Sequence, residues 1–122
     1  MELQEVSDLQ NKGYYVAILF GAECKNLNTF IDNVAKLFHF PSYYGRNINA
    51  FLECINDLDW MPESNYALVV VDSELFMAND TKDNKLYVID LLRKVSTEWA
   101  NVPNYQGEEQ FRDKADFKVI YK

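Results

Sequence analysis

The sequence predicts an α/β protein: a small, mostly parallel three-stranded sheet with helices packed on it, in the order β-α-α-β-α-β, with an additional short helix ahead of them. Three observations lead there. Residues 14–20 and 66–71 are unbroken apolar runs, which suit strands covered on both faces, as parallel strands are. Between the runs, apolar residues recur at i, i+3, i+4 and i+7, the stripe of an amphipathic helix. Strands separated by whole helices are joined by crossovers, which place them parallel and with right-handed connections.

In residues 1–13, Leu3, Val6 and Leu9 fall at loosely helical spacing, and Gly13 follows, a residue favoured just past a helix end. The first strand, 14–20, is closed by Gly21. Leu27, Phe30, Ile31, Val34, Leu37 and Phe38 then line one helical face, with Asn26 or Asn28 to cap its start. Pro41 stops that helix, and residues 41–46 read as a loop. A second helix takes Asn47 as its cap and Ile48, Phe51, Leu52, Ile55 and Leu58 as its stripe. After the strand at 66–71, residues 73–78 hold one helical turn. Thr81 caps a longer helix whose stripe contains Val88, Leu91, Leu92, Val95 and Trp99. A polar stretch, 101–116, is broken by Pro103 and Gly107, and a short strand at 117–121 closes the chain. No repeat, low-complexity segment or Pro/Gly/Ser-rich linker divides it, so one domain is expected.

A chain of 122 residues buries about two-thirds of the surface it exposes when unfolded and folds without staples. Hydrophobic residues make up 48% and aromatics 15%, which excludes intrinsic disorder. Acidic side chains outnumber basic ones 19 to 12, for a net charge of -7. That balance argues against direct nucleic-acid binding, which needs clustered Lys and Arg. It fits a basic partner, or simply a soluble domain. The first residues carry no basic segment followed by an apolar core, and the longest apolar run, 14–22, is too short for a membrane helix of ~20 residues. Two cysteines are too few for a disulfide framework. A cytoplasmic protein without a membrane association is expected.

Little in the sequence suggests catalysis. His39 is the only histidine, and between Phe38 and Phe40 it reads as a structural residue where a helix meets the core. Cys24 and Cys54 read as small buried residues with no base to activate them. Metal-ligand spacing, a phosphate loop and a Gly-rich dinucleotide turn are all missing, so neither metal nor cofactor is expected. Glu53 and Asp57 on adjacent turns are the one paired-carboxylate arrangement, and no orienting base accompanies them.

The polar face of the second helix is more informative. With Ile48 at zero and ~100° per residue, Asn49 lies near 100°, Glu53 near 140° and Asp57 near 180°. The three stand one above another, and Tyr43, Tyr44 and Gly45 approach the top of the ridge. Spacing alone leaves two readings open: a solvated helix face behind a capping loop, or an acidic docking ridge flanked by exposed aromatics.

The run Phe40-Pro41-Ser42-Tyr43-Tyr44-Gly45-Arg46-Asn47-Ile48-Asn49-Ala50-Phe51-Leu52-Glu53-Cys54-Ile55-Asn56-Asp57-Leu58-Asp59-Trp60 resembles the signature of the barstar family, small intracellular inhibitors of barnase-type ribonucleases. The resemblance implies a single barstar-like domain of three-layer type over residues 14–122, with 1–13 as an extension. It implies no catalytic activity, and a cognate basic ribonuclease or toxin domain as partner. The second helix and the loop before it would enter the partner's active site, with carboxylates in place of substrate phosphate. The partner-binding set it implies is Tyr43, Gly45, Arg46, Asn47, Asn49, Leu52, Glu53, Asn56 and Asp57, with Tyr43 facing outward and Tyr44 supporting the loop from the core. Gly45, where loop turns into helix, is expected to need φ > 0. Glu53 falls at the family's central inhibitory aspartate. Asn49 stands where the family has an aspartate, Leu52 where some members present Trp, and the basic pair Arg93-Lys94 near a fourth-helix acid. A barstar-like interaction module with a partner other than a ribonuclease is the alternative, which Asn49 favours and Glu53 opposes. The free chain is expected to be a monomer.

Overall fold

The apolar runs pair as crossovers require. In a computed structural model, which describes residues 3–42 and 44–122, β1 (Tyr14–Phe20) lies parallel to β2 (Asn65–Val71), and β2 parallel to β3 (Phe117–Tyr121). The sheet order is β1-β2-β3. Four α-helices complete the chain: α1 (Leu3–Asn11) ahead of β1, α2 (Leu27–Leu37) and α3 (Ile48–Ile55) between β1 and β2, and α4 (Lys82–Ala100) between β2 and β3.

Register decides which side chains share a face. Tyr15, Tyr66 and Phe117 stand side by side, as do Ala17, Leu68 and Val119, because alternate residues of a strand point the same way. Against this face pack Phe30 and Val34 of α2, Phe51 and Ile55 of α3, and Leu92, Val95 and Trp99 of α4. Phe38 stacks on Phe117 with ring centroids 5.8 Å apart, and Phe30 meets Phe51 at 5.4 Å. On the opposite face, Ala67 and Val69 are buried outside that cluster, and α1 lies against β1. Layers of helix, sheet and helix result.

β2 is covered on both faces, with residues 66–70 all buried. β1 is not: only Ala17 and Leu19 are buried, and Phe20 is 48% exposed. An apolar run identifies a strand, but an edge strand with one half-covered face can carry one as well. Asn26, not Asn28, caps α2, its side chain accepting from the Thr29 N–H at 3.0 Å. Thr81 caps α4 through the Asn84 N–H. The Asp80 carboxylate accepts from the backbone N–H groups of Leu27 and Thr81 and so ties the starts of α2 and α4 together. Residues 73–78 hold only a 3₁₀ turn at Ser73–Leu75. Helix α3 is shorter than its stripe suggests: it ends at Ile55, and buried Leu58 lies beyond it with φ 52°.

Gly21 sits where the ends of β1 and β2 approach most closely. A Cβ there would stand 2.3 Å from the Asp72 carbonyl oxygen and 2.9 Å from that of Val71. Both are backbone atoms, so the strand ends themselves must move. Gly21→Ala is expected to cost about 1–3 kcal/mol in urea denaturation; a midpoint matching the wild type would show that the strand ends yield freely.

Candidate functional site

The loop before α3 is organised by short-range bonds. The Asn47 side chain accepts from the Ala50 N–H at 2.9 Å, capping the helix, and donates to the Gly45 carbonyl at 3.4 Å. Arg46, not Gly45, takes the left-handed conformation, with φ 55°. The expectation for Gly45 is therefore corrected. Its constraint is room: a Cβ would lie 3.2 Å from Asn47 Nδ2 and 3.8 Å from the Ala50 Cβ. Arg46 forks onto Asp32 of α2, Nε to Oδ1 at 3.3 Å and Nη2 to Oδ2 at 2.8 Å, a planar pairing suited to guanidinium and carboxylate.

Aromatic rings support the loop from beneath. Tyr44 meets Phe40 edge-on at 5.1 Å, and Phe40 contacts Phe51 and Trp60 at 5.8 and 6.0 Å. The Tyr44 hydroxyl is buried without a hydrogen-bond partner among the described residues, and burial pushes its pKa up to about 12. Tyr43, the ring expected to face outward, lies outside the described residues.

Asn49 and Glu53 are exposed on the outer side of α3. Glu53 makes no hydrogen bond or ion pair among the described residues. Asp57 is exposed too, but it leaves the helix: its N–H bonds the Cys54 carbonyl at 3.1 Å in the turn after Ile55. The continuous helical ridge is thereby corrected to two helical positions and one from the following turn. Partial burial, and next the neighbouring Asp59, push the Asp57 carboxyl above its usual range. Leu52 is half-buried against the core. Asn56 is occupied within the fold, donating to the Leu52 carbonyl and receiving the Arg112 guanidinium on its side-chain oxygen.

The far end of α3 shows what residue patterning missed. Trp99 of α4 donates its indole N–H to the Ile55 carbonyl at 3.1 Å, and Arg112 donates to the Asn56 carbonyl at 2.9 Å. Arg112 pairs with Glu108 at 2.9 Å, both side chains under 10% exposed, and its guanidinium lies 4.5 Å over the Trp99 ring. Residues 101–116 thus fold back onto α3 and help bound an open groove of about 610 Å³, lined by Glu53, Asp57, Glu98, Tyr105 and Phe111 among others. The visible sequence signals were the Glu108–Arg112 spacing of four and an aromatic in a polar stretch. On α4, Arg93 and Lys94 both pair with Asp90, at 2.6 and 3.3 Å. Glu98, a turn further on, is the α4 acid that reaches the groove.

Elsewhere the chemistry is quiet. His39 is exposed at the end of α2 with φ 54°, rather than set into the core. Cys24 is fully buried and its thiol is pushed up to about 12, the opposite of what a nucleophile needs. Among the described residues no three His, Cys, Asp or Glu side chains converge as metal ligands, and no helix is long and apolar enough to cross a membrane.

The domain is thus an α/β fold whose capped α3 presents Glu53 beside a pinned loop. The model of the barstar (barnase inhibitor) family matches residues 14–121, from the first residue of β1 to the last of β3, and the chain belongs to that family. Helix α1 precedes the matched span. No curated protein matches the chain significantly.

Bonds from the Asn104 N–H first, then from the Asn104 side chain and Arg112, hold the Glu108 carboxyl below its usual range. A depressed native pKa means stability that is complete above the unfolded value, near 4.5, and lost as pH falls through the native one. The stability gap between wild type and Glu108→Gln is expected to be widest near neutrality and to shrink below pH 4.5 in thermal melts. A gap independent of pH would show that the carboxylate charge plays no part in holding the loop.

Proposed function

We propose that this chain is a non-catalytic inhibitor, and the immunity protein, of a basic barnase-type ribonuclease or toxin domain. It closes the enzyme's active site with α3 and the loop before it, inside the cytoplasm of the cell it protects. Glu53 is the observation that carries this reading. Its carboxylate is exposed in the last turn of α3 and has no partner within the described chain, whereas Arg46, Asp90, Arg93, Arg112 and Glu108 are all paired.

The chemistry follows from what a ribonuclease cleft must do. A cleft that grips RNA presents cations to phosphate, so a carboxylate held at the right depth competes for the same groups. Exclusion of water at the centre of the contact strengthens that pairing. The net charge of -7 draws a basic enzyme toward the inhibitor. Asn49 offers an amide where the family has a carboxylate, and Glu53 reaches about one methylene further than aspartate. Both differences suit a cleft shaped unlike that of barnase, since specificity rests on such mismatches. A barstar-fold module for a partner that is not a ribonuclease is the second reading, favoured by the uncharged Asn49.

Kinetics on alanine variants distinguish the two, with barnase and a basic ribonuclease captured on this chain from lysate of its source cells as partners. Truncating one member of a buried charge pair typically costs ~2–5 kcal/mol and speeds dissociation, whereas rim charges alter association, a generalisation for which barnase and barstar are themselves the type case. Glu53→Ala is expected to raise the dissociation rate, and Asp57→Ala to lower the association rate at low salt. A larger effect at Asp57 than at Glu53, or none at either, would move the docking site elsewhere.

A further inference from the structure

The segment between α4 and β3 is too long and too well organised for a mere connection. It spans residues 101–116, and its two aromatics, Phe111 at 75% and Tyr105 at 60%, are the most exposed large apolar side chains among the described residues. Exposure of that kind is ordinarily a cost, and exposed aromatics lining a groove mark interaction surfaces. We propose that this segment is a second docking element, in which Tyr105 and Phe111 close over a cationic side chain of the basic ribonuclease beside the cleft that Glu53 enters. The inference rests on the inhibitor reading above and extends its surface beyond α3.

Three features of the groove support that occupant. Its open volume, about 610 Å³, accommodates an arginine or lysine side chain with room for its backbone. Its charge is one-sided: Glu53, Asp57, Asp59 and Glu98 line it, and the one basic side chain among its walls, Arg112, is already engaged by Glu108 and Asn56. Aromatic rings and carboxylates lining one groove can hold a cation by ring quadrupole and by charge together. Burial first, and then Asp59, push the Asp57 carboxyl upward, and a cation seated beside it would offset both.

The segment is also held in place before any partner arrives. Asn104 donates both its backbone N–H and its side-chain amide to Glu108 Oε1, at 2.6 and 2.9 Å. The Asn104 amide also reaches the Glu98 carbonyl at 2.8 Å, and Arg112 joins the loop to the end of α3. A loop ordered in advance loses little entropy on binding. Glu53 lines the same groove, so a partner seated on α3 meets the two rings without any rearrangement.

The decisive comparison is inhibition and binding kinetics of wild type, Glu53→Ala, Phe111→Ala and the double variant Tyr105→Ala/Phe111→Ala, against barnase and the basic ribonuclease captured from the source cells. The double variant is expected to bind about tenfold more weakly or worse, chiefly through faster dissociation, with an unchanged melting temperature because both rings are solvent-exposed. Phe111→Tyr, which keeps the ring, is expected to restore most of the loss. If the double variant binds within about twofold of wild type while Glu53→Ala is impaired, the second docking element is refuted and the inhibitor reading stands. If wild type binds a ribonuclease and neither Glu53→Ala nor the double variant has an effect, the docking site lies elsewhere and this inference falls; if wild type binds neither ribonuclease, the inhibitor reading falls and this inference with it.

Discussion

A helix that ends inside a protein leaves carbonyls that water cannot reach, and each must find a donor. In this fold that requirement shapes the binding end of the molecule. Helix α2 finishes against the sheet, where the Tyr15 hydroxyl donates to the Leu37 carbonyl and the Trp60 indole to that of Phe38 at 2.8 Å. Helix α3 finishes under α4, where Trp99 and Arg112 supply the donors. Both tryptophans and the buried arginine thus act as C-terminal caps from a distance. Their positions fix where α3 lies and how its outer face is presented.

That arrangement separates polar groups that serve the fold from those left for a partner. Asn47, Arg46 and Asn56 all belong to the family-like segment, yet each is already bonded within the chain. Their part in the fold is the shape they impose on loop and helix. Glu53, Asn49 and Asp57 remain outward, and the aromatics of the α4–β3 segment stand beside them. The surface is rigid because its charged neighbours are neutralised in pairs, and its net field is acidic because the exposed carboxylates are not.

Local readings failed where position depended on neighbours distant in sequence. Gly45 stood at a turn, and φ > 0 was a natural expectation; the left-handed residue is Arg46, whose side chain pairs with Asp32 fourteen positions upstream. The stripe through Leu58 suggested a helix one turn longer than α3, but the chain turns at Asn56, where Arg112 takes the last carbonyl. Residues 101–116 had no periodicity to read. Their order comes from a buried ion pair and a cation over an indole, contacts that no spacing rule anticipates.

What the sequence by itself determined were the elements whose cause is local. Apolar runs placed the three strands, helical stripes placed α2 and α4, and Asn47 and Thr81 set the starts of their helices, since each of these depends on residues within a few positions of one another. The contiguous segment 40–60 was equally legible, and with it the placing of Glu53 on the exposed side of α3. Tertiary structure alone decided which strand is covered on both faces, why Gly21 must be glycine, and that Glu98, Tyr105 and Phe111 share a groove with Glu53. Those outcomes are made by groups dozens of residues apart meeting in space, where backbone contact, desolvation and charge act at a few ångströms regardless of the length of chain between them.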